Sequence, residues 1–383
     1  MSPRILFIPH LLGWKNPDDV GLFHIIRDKT LADEILKIDP EIDIVFMLSG
    51  SRALLVEKWG YDVIRVPAIT FHSPTLEFIN LFEVMYRSAL YIKPDLIIGD
   101  MFSYASAIAD SLKCPFILIA DYLFPEDINV LFRFFARRTD LVIVCDTKLH
   151  WKLPNLLKPI EDKIVCTGPI LRPFDELINT KKDILKRKLG FDPKDFLVLV
   201  TLGGSGGYLM RYKLIHEIAM EAFEMVRNDI PNVTMLICTG SSPRSIVTSK
   251  KRASKVIVKG FVDDLAPYIR ASDVIITKGG HGTLMEASVL GTPIIAINLY
   301  EITRRKEELY NIRRFKKLGN LIHIPPTELN SRILANAIIK LLKDHKLREK
   351  MIKAGQKIPK DGRIKAASII IELLRKNKNK KIK

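Results

Sequence analysis

The chain alternates between short apolar runs and segments whose apolar residues recur with a helical period. Six apolar runs lie in the first half, at 4–9, 42–48, 62–66, 95–100, 116–121 and 141–145. Five more lie in the second half, at 196–202, 234–240, 255–260, 273–278 and 293–299. Nearly continuous apolar strands with helices between them are typical of parallel sheets covered on both faces. Because 383 residues exceed one typical core, the sequence predicts an α/β protein with two doubly wound, Rossmann-like domains.

The join between the domains is expected where two prolines interrupt the pattern, in G-P-I-L-R-P-F-D-E at 168–176. We divide the chain into an N-terminal acceptor-side domain (1–170), a C-terminal nucleotide-sugar domain (171–355), and a final helix with a basic tail (356–383). In the first half, helical periodicity is clearest at 25–37, 75–92, 103–112 and 126–138. Two such domains facing each other would form a central cleft. Since doubly wound sheets bind ligands at the carboxyl ends of their strands, residues just after the strands are the first site candidates.

The formal net charge of +17 is concentrated near the end of the chain, because residues 343–383 hold 15 Lys or Arg and 4 Asp or Glu. This segment suits contact with an anionic membrane surface, and it equally suits a solvated helix. Nucleic acid is not expected as a partner, since no recognition motif accompanies the charge. No apolar run approaches the roughly 20 residues of a membrane span, and no signal peptide is evident. We therefore expect a cytoplasmic protein, peripheral on the inner membrane face, with its four cysteines reduced.

Two glycine-rich turns follow predicted strands of the second half. They are T-L-G-G-S-G-G-Y at 201–208 and T-K-G-G-H-G-T-L-M-E-A at 277–287, and each leads into a helix. Consecutive glycines let backbone N–H groups approach a ligand, and a helix N-terminus adds partial positive charge, which favours phosphate binding over a packing role. The first turn is not a Walker A loop, because no Lys-Ser/Thr pair follows. Lys278 and His281 could contact phosphate, and Glu286 could accept hydrogen bonds from two ribose hydroxyls.

The second turn lies within a longer stretch, 261–295, that resembles the donor-binding region of the MurG-like glycosyltransferases. The resemblance extends through 203–207 and 304–319 and covers most of 195–320. It implies the GT-B fold, a UDP-sugar donor and inversion at the anomeric carbon. It also implies a lipid-linked acceptor reached at the cytoplasmic membrane face. The expected reaction is transfer of an N-acetylhexosamine in cell-envelope or glycoconjugate synthesis.

The family pattern assigns donor contacts to positions of this chain. Phe261 and Val262 match the turn whose backbone reads uracil, and Glu286 matches the ribose-binding glutamate. Glu307 and Glu308 fall where many members carry a glutamine or acidic pair facing the donor sugar, and the Glu-Glu form leaves the identity of that sugar open. The donor-binding residues that the turns and the resemblance imply are Gly203, Gly204, Ser205, Phe261, Val262, Lys278, Gly280, His281, Gly282, Thr283, Glu286, Glu307, Glu308 and Asn311.

The N-terminal half resembles the family less closely, in the segment 20–35, which is similar to a turn of the form G-x-G-H-x-x-R. Phe23 replaces a glycine of that motif, which predicts a more rigid or differently shaped turn. His24 keeps the histidine and is the first candidate for the catalytic base, because imidazole titrates near neutral pH. Asp100, at the end of a predicted strand, is the second candidate. Its alternative role is a helix cap for 103–112.

Metal-independent chemistry without a cofactor is expected, because the chain contains no D-x-D triplet and because the glycine turns, helix N-termini and Lys278 can stabilise a leaving diphosphate. The segment 129–138, with Arg133, Arg137 and Arg138, suits either a surface helix at anionic headgroups or a helix packed on the sheet. Two other functions remain open. One is a UDP-GlcNAc 2-epimerase-like enzyme, and the other is a non-catalytic subunit that docks a sugar nucleotide or a lipid.

Overall fold

The structure, a computed structural model, describes residues 2–13, 22–70, 75–121, 137–146, 155–203, 209–240, 255–297 and 306–382. The chain divides into two compact units. Unit 1 comprises Met1–Arg172 and Pro359–Lys383, and unit 2 comprises Pro173–Ile358. The last segment of the chain therefore returns to the first unit.

Unit 1 is built on a parallel sheet. Its strands are β1 (Arg4–Ile8), β2 (Leu12–Gly13), β3 (Asp43–Leu48), β4 (Asp62–Arg65), β5 (Ile69–Thr70), β6 (Leu96–Asp100), β7 (Phe116–Ala120), β8 (Leu141–Val144) and β9 (Ile164–Cys166). Seven of them pair in the order β4-β3-β1-β6-β7-β8-β9, and β2 pairs with β5. All of these pairings are parallel. The winding direction reverses between β1 and β6, which is the topological switch point of this sheet.

Helices cover both faces of the unit 1 sheet. They are α1 (Leu22–Ile38), α2 (Arg52–Lys58), α3 (Thr75–Ile92) and α4 (Ala105–Ser111), with a 3₁₀ segment at Asn155–Lys163. Alternate residues of β1 enter different buried clusters: Leu6 packs in the cluster that contains α3 and α4, and Phe7 packs in the cluster that contains α1 and α2. Because strand side chains alternate between faces, this double burial requires the unbroken apolar runs seen in the sequence.

Unit 2 contains a six-stranded parallel sheet. Its strands are β10 (Phe196–Thr201), β11 (Val233–Cys238), β12 (Val256–Lys259), β13 (Val274–Thr277), β14 (Ile294–Ile297) and β15 (Leu321–Ile324). Their order is β12-β11-β10-β13-β14-β15, and every neighbouring pair is parallel. The switch point therefore lies between β10 and β13. The prediction of two doubly wound parallel sheets is confirmed.

The helices of unit 2 flank its sheet. They are α5 (Asp175–Asn179), α6 (Lys182–Lys188), α7 (Leu209–Asp229), α8 (Ala266–Ala271), α9 (His281–Val289), α10 (Lys306–Leu318), α11 (Ser331–Lys343) and α12 (His345–Gly355). Side-chain caps begin the last two helices. Asn330 accepts a hydrogen bond from the Ile333 N–H, and Asp344 accepts one from the Leu347 N–H at 2.8 Å. Such caps satisfy backbone donors that have no acceptor within the helix.

The final helix, α13 (Gly362–Ile382), belongs to unit 1. Its Ile370 and Leu374 are buried in the cluster that also contains residues of α1. Two ion pairs join α13 to α1 and to the residue that follows it: Arg363 Nε lies 3.2 Å from a Glu34 oxygen, and Arg375 Nη2 lies 3.2 Å from an Asp39 oxygen. Part of the basic segment is therefore a structural helix that completes the core of unit 1.

The eleven predicted strands are all present, each within two residues of its predicted bounds. Sequence patterning missed β9 and β15, which close two sheet edges, and the short pair β2–β5. These strands have between two and four residues, and β15 carries the half-buried His323, so none has a long apolar run. A short edge strand is specified by its neighbour and hardly by its own composition.

Most of the predicted helix at 126–138, including Arg133, lies outside the described residues. Arg137 and Arg138, at its end, form an exposed turn, and Arg138 Nε lies 3.7 Å from a carboxylate oxygen of Asp110. Within the ranges that the structure describes, no helix combines the length and the apolar composition that crossing a membrane requires.

The packing of α13 predicts a difference between two isoleucines of that helix. Ile370 is fully buried, whereas Ile364 is 43% exposed. We expect Ile370→Ala to lower the free energy of unfolding by about 2–5 kcal/mol, because it removes buried methylenes and leaves a cavity. Ile364→Ala is the matched control and should change it by less than about 0.5 kcal/mol. Denaturant unfolding followed by circular dichroism measures both, and equal effects would contradict the assignment of α13 to the core.

Candidate active site

The two glycine-rich turns of unit 2 lie at the exits of neighbouring strands. Thr201 ends β10, Thr277 ends β13, and these two residues are paired in the sheet. Gly203 lies two residues after Thr201, and Lys278 follows Thr277 directly. Because β10 and β13 flank the switch point, the turns open where doubly wound sheets bind ligands.

Lys278 belongs to the second turn, and its side chain reaches Gly203 of the first. Its Cε lies 3.1 Å from the position that a Cβ on Gly203 would occupy. Its Nζ forms an ion pair of 3.0 Å with Glu308 Oε1 on α10, and the exposed fractions of the two side chains are 10% and 3%. The site therefore holds an ammonium and a carboxylate that are both largely withdrawn from water, where electrostatic interactions are stronger.

Gly279 allows α10 to approach this turn closely. Its φ is +92°, and a Cβ at this position would lie 2.6 Å from Ile312 Cγ1 and 3.3 Å from the Glu308 carbonyl oxygen. Gly203 also has a positive φ, of +100°. Gly280 differs, because its φ is −63° and a Cβ there would meet nothing within 4 Å. Position 279 therefore requires a glycine, whereas the packing at position 280 would accept a larger residue.

The N-terminus of α9 leaves backbone donors without helical acceptors. Gly280 is its N-cap residue and provides no side chain, and the Leu284 N–H makes the first bond within the helix, 3.1 Å to the Gly280 carbonyl. The N–H groups of His281, Gly282 and Thr283 precede that bond and have no acceptor within the helix. Together with the helix dipole, these groups favour a negatively charged ligand.

Of the Glu307–Glu308 pair, only Glu308 points inwards. Glu307 is exposed, whereas Glu308 is 2% exposed. Asn311, one turn later and fully buried, donates from Nδ2 to the Gly279 carbonyl at 3.4 Å. Among the described residues, Glu308 Oε2 and Asn311 Oδ1 are buried and have no hydrogen-bond partner. Because buried acceptors are normally paired, these two oxygens suit the donors of a bound ligand.

The remaining predicted donor residues occupy the same unit. Glu286 lies on α9 and is 9% exposed, and Lys278 and His281 are also buried. Phe261, which is 40% exposed, and the half-buried Val262 follow β12. Gly204 and Ser205 lie outside the described residues.

His24 and Asp100 come together at the switch point of unit 1. Asp100 ends β6, and His24 stands in the first turn of α1, with Nδ1 2.9 Å from Asp100 Oδ1. The Asp100 side chain is fully buried, whereas the imidazole is 19% exposed. The ring of His10, just after β1, stacks on that imidazole at 5.9 Å. The two candidates for the base are therefore hydrogen-bonded partners.

Asp100 is not a helix cap. The helix predicted at 103–112 begins at Ala105, and its N-cap residue, Tyr104, makes no side-chain capping bond. Phe23 also differs from expectation, because it lies within α1 and not in a turn. Its ring packs 5.2 Å beneath the guanidinium carbon of Arg27. The cap expectation was wrong because the Asp100 carboxylate is bonded to α1 and not to the chain that follows it.

Arg27 binds both oxygens of Asp100 and is 1% exposed. Its Nε donates to Oδ2 at 2.7 Å, and its Nη2 donates to Oδ1. Burial alone raises the pKa of a carboxyl, but the charges and hydrogen bonds of Arg27 and His24 outweigh it and hold the pKa of Asp100 well below its usual range. Asp100 is therefore ionised at neutral pH.

No group of three or more His, Cys, Asp or Glu side chains that could hold a metal ion occurs among the described residues. The four cysteines are free, and three of them are buried: Cys114, Cys145 and Cys238.

This chain is similar to known glycosyltransferases in sequence and in fold. Residues 197–365 match the glycosyltransferase family 28 C-terminal domain. A UDP-N-acetylglucosamine–N-acetylmuramyl-(pentapeptide) pyrophosphoryl-undecaprenol N-acetylglucosamine transferase of Clostridioides difficile is 26% identical over 356 residues, which cover 88% of this chain and 83% of that protein. The crystal structure of Acinetobacter baumannii MurG superposes with a TM-score of 0.63 at 13% identity, over 97% of this chain and 99% of that one. The chain thus contains a domain that matches this family, and it is a glycosyltransferase with the GT-B fold.

The fold of the transferase is shared more widely than this chemistry. A Listeria monocytogenes protein described as a UDP-N-acetylglucosamine 2-epimerase superposes with a TM-score of 0.67 at 17% identity, over 97% of this chain and 95% of that one. Fold likeness alone therefore does not separate transfer from epimerisation.

Arg27, which binds the candidate residue Asp100, was not predicted from the sequence. The available signal was its position, three residues after His24 and thus on the same face of a helix. A second signal was the pair of carboxylates, Asp100 and Asp121, each at or just after the end of a predicted strand. An arginine on the buried face of a helix needs such partners, because an unpaired buried charge is costly.

The glycine geometry of the transferase predicts opposite outcomes at adjacent positions. Gly279→Ala should lower the free energy of unfolding by about 1–3 kcal/mol, because it adds a Cβ where φ is positive and where Ile312 already packs. Gly280→Ala, the matched control, should change it by less than about 0.5 kcal/mol. Chemical denaturation measures both, and a tolerated Gly279→Ala would refute the close approach of α10.

Proposed function

We propose that this transferase moves an N-acetylhexosamine from a UDP-sugar to a hydroxyl of a lipid-linked acceptor, with inversion at the anomeric carbon. In this proposal unit 2 holds the donor and unit 1 supplies the base. The observation that carries it is the buried Lys278–Glu308 pair between two glycine-rich turns, at the switch point of a family 28 domain.

The donor diphosphate is assigned to the N-terminus of α9. The N–H groups of His281, Gly282 and Thr283 suit its charge, and Lys278 adds a full positive charge. As the bond between the anomeric carbon and the diphosphate oxygen breaks, negative charge grows on that oxygen. Preorganised donors at this position stabilise it without reorganisation, so we propose a metal-independent reaction.

The nucleoside is assigned to the turn after β12 and to α9. Phe261 and Val262 lie in that turn, where backbone groups could pair with uracil, as the resemblance implies. Glu286 could accept hydrogen bonds from both ribose hydroxyls, and its burial would strengthen them. Gly203 would leave room for the diphosphate beside Lys278.

The sugar is assigned to the two buried acceptor oxygens of α10. Glu308 Oε2 and Asn311 Oδ1 lack hydrogen-bond donors among the described residues, and sugar hydroxyls or an acetamido N–H would supply them. A site built to accept such bonds discriminates against ligands that cannot donate, because its oxygens would stay unpaired. Glu307 is exposed and is left out of this contact. The N-acetylhexosamine itself is proposed from the relative of Clostridioides difficile, whose name specifies N-acetylglucosamine.

The base is assigned to His24. Asp100 is ionised and can only accept, so its bond with Nδ1 requires the proton to be on Nδ1. Nε2 then carries the lone pair. In the proposed step Nε2 takes the proton of the acceptor hydroxyl, the acceptor oxygen attacks the anomeric carbon, and the diphosphate leaves with the bonding pair.

The acceptor is proposed to be lipid-linked and reached from the cytoplasmic membrane surface, in cell-envelope or glycoconjugate synthesis. The name of the Clostridioides relative includes an undecaprenol carrier. On α12, Lys346, Lys350 and Lys353 are exposed, share one helix face, and form no ion pair among the described residues. Each lysine near an anionic surface contributes about 1 kcal/mol, so this face suits peripheral contact.

An epimerase is the second candidate, because the Listeria protein shares the fold. An epimerase would convert the donor without any acceptor, by inverting the configuration at carbon 2 of its sugar. A docking subunit would not convert the donor, although it would bind it. Donor consumption measured with and without a lipid extract therefore separates the three functions.

The donor assignment predicts a ranked thermal shift. Among UDP-GlcNAc, UDP-GalNAc, UDP-glucose and UDP-galactose, an N-acetylated donor should raise Tm most, in the presence of EDTA. A ligand at 100 times its Kd adds about 2.7 kcal/mol of stability.

Glu286→Ala should weaken donor binding by roughly 1–3 kcal/mol, because two ribose hydroxyls lose a charged acceptor. Glu328→Ala, at an exposed glutamate of the same unit, is the control. A shift that needs added metal, or that Glu286→Ala leaves intact, argues against these assignments.

The base assignment predicts a loss of turnover without a loss of donor affinity. His24→Ala should lower kcat by about 10²–10⁴ and leave UDP affinity nearly unchanged in calorimetry. Asp100→Asn should lower kcat as well, since it removes the ionised acceptor of Nδ1–H. His345→Ala, at a histidine with a 71% exposed side chain, is the control. If Asp100→Asn abolishes turnover while His24→Ala keeps a near-normal kcat, Asp100 is the base and His24 is not.

A further inference from the structure

The guanidinium of Arg27 contacts four other side chains. Besides the two bonds to Asp100, Nη1 contacts Asp121 Oδ1 and donates to Cys145 Sγ at 3.1 Å. Nη2 also lies 3.0 Å from His24 Nδ1. An arginine has five N–H groups, and the contacts with Asp100, Asp121 and Cys145 use four of them. The side chain is thus fixed by bonds from α1 to the ends of three neighbouring strands.

The contact between Arg27 Nη2 and His24 Nδ1 has two possible meanings. Nδ1 either accepts a hydrogen bond from the guanidinium or donates its own proton to Asp100. In the first case its lone pair would lie 2.9 Å from an ionised oxygen, Asp100 Oδ1, with no proton between them. In the second case Nη2–H and Nδ1–H both point to that oxygen, which has two lone pairs to accept them. The 3.0 Å contact then follows from two donors that share one acceptor.

Two other ionisable groups, Asp28 and Cys145, interact with Asp100. Asp28 is fully buried and interacts directly with Asp100. Burial, and then the charge of Asp100 and a hydrogen bond with it, raise the pKa of Asp28 well above its usual value. Burial likewise raises the pKa of the Cys145 thiol to about 12. Among the described residues, the charged side chains in direct contact with His24 are Asp100 and Arg27, and the ring of His10 stacks on it; Asp121 contacts Arg27.

We propose that Arg27 is a positioning residue for the base, which orients Asp100 Oδ1 towards His24 Nδ1 and thereby fixes the imidazole tautomer with a free Nε2. The inference rests on the proposed function of His24, although its main observable does not. Arg27 also offsets the negative charge of Asp100 next to the ring. Without that offset the carboxylate would draw a second proton onto the imidazole and remove the base at higher pH. A purely structural arginine would stabilise unit 1 without controlling where the ring proton resides.

The test uses nitrogen NMR of the full-length protein labelled at its histidine side chains, without donor or acceptor. The signals of His24 are those that disappear in His24→Gln. In the wild type at neutral pH we expect a protonated Nδ1 and an unprotonated Nε2. In Arg27→Met the pH midpoint of the His24 titration should rise by about 1 unit or more, the effect of removing one adjacent positive charge. In Arg27→Lys, which keeps the charge, it should rise by less than half as much.

The kinetic counterpart is the pH profile of kcat/KM. Its acidic limb should move to higher pH in Arg27→Met and be largely restored in Arg27→Lys. Arg65→Met, which removes an exposed arginine paired with Glu57, should change neither the spectrum nor the profile. Truncation of a buried ion-pair partner costs about 3–5 kcal/mol, so Arg27→Met can fail to fold. In that case the wild-type tautomer and the Arg27→Lys titration decide the question.

The outcomes separate this inference from the proposed function. A wild-type spectrum with a protonated Nε2 and a bare Nδ1 would overturn the role of Arg27, whatever the chain transfers. An unchanged midpoint in folded Arg27→Met would overturn it as well. Conversely, the expected spectra together with normal turnover in His24→Ala would uphold the control of the tautomer by Arg27 and reject His24 as the base.

Discussion

The constraint on which this structure depends is the burial of both faces of two parallel sheets. When helices cover a sheet on each side, polar chemistry has room only at the strand ends. The winding direction reverses at β1/β6 in unit 1 and at β10/β13 in unit 2, and the helices that follow diverge there. His24, Asp100 and Lys278 all lie at these two points. The apolar patterning that builds the sheets therefore also determines where the candidate site residues stand.

A second regularity concerns the charges at those points. Lys278 is paired with Glu308, and Arg27 is paired with Asp100 and Asp121, all in nearly water-free surroundings. In the proposed site, the first pair places a lysine beside the N-terminus of α9 in unit 2, and the second group lies beside the imidazole of His24 in unit 1. Mutual neutralisation makes such burial tolerable, because an isolated charge at these depths would be strongly destabilising. Electrostatic interactions with a ligand are in turn stronger than they would be in water.

Much of this arrangement could be predicted from the sequence, and the exceptions have physical reasons. Long apolar runs and glycine-rich turns are local signals, so the main strands and the turn containing Gly279 were identified correctly. The separation of Glu307 from Glu308 was not, because it depends on how α10 rotates against Gly279. The bond between His24 and Asp100 joins residues 76 apart in sequence, and only the pairing of β1 with β6 brings them together. Arg27 was missed because a buried arginine is improbable until its carboxylate partners are seen.

The return of the chain to unit 1 after unit 2 affects how the protein is made. A ribosome releases the chain from its N-terminus, so all of Pro173–Ile358 emerges before α13. Unit 2 can thus complete its core while unit 1 still lacks a helix and exposes the apolar residues of α1 that α13 later covers. The unit that carries His24 is then the last to mature, and during synthesis it is the part of the nascent chain that most needs protection from aggregation.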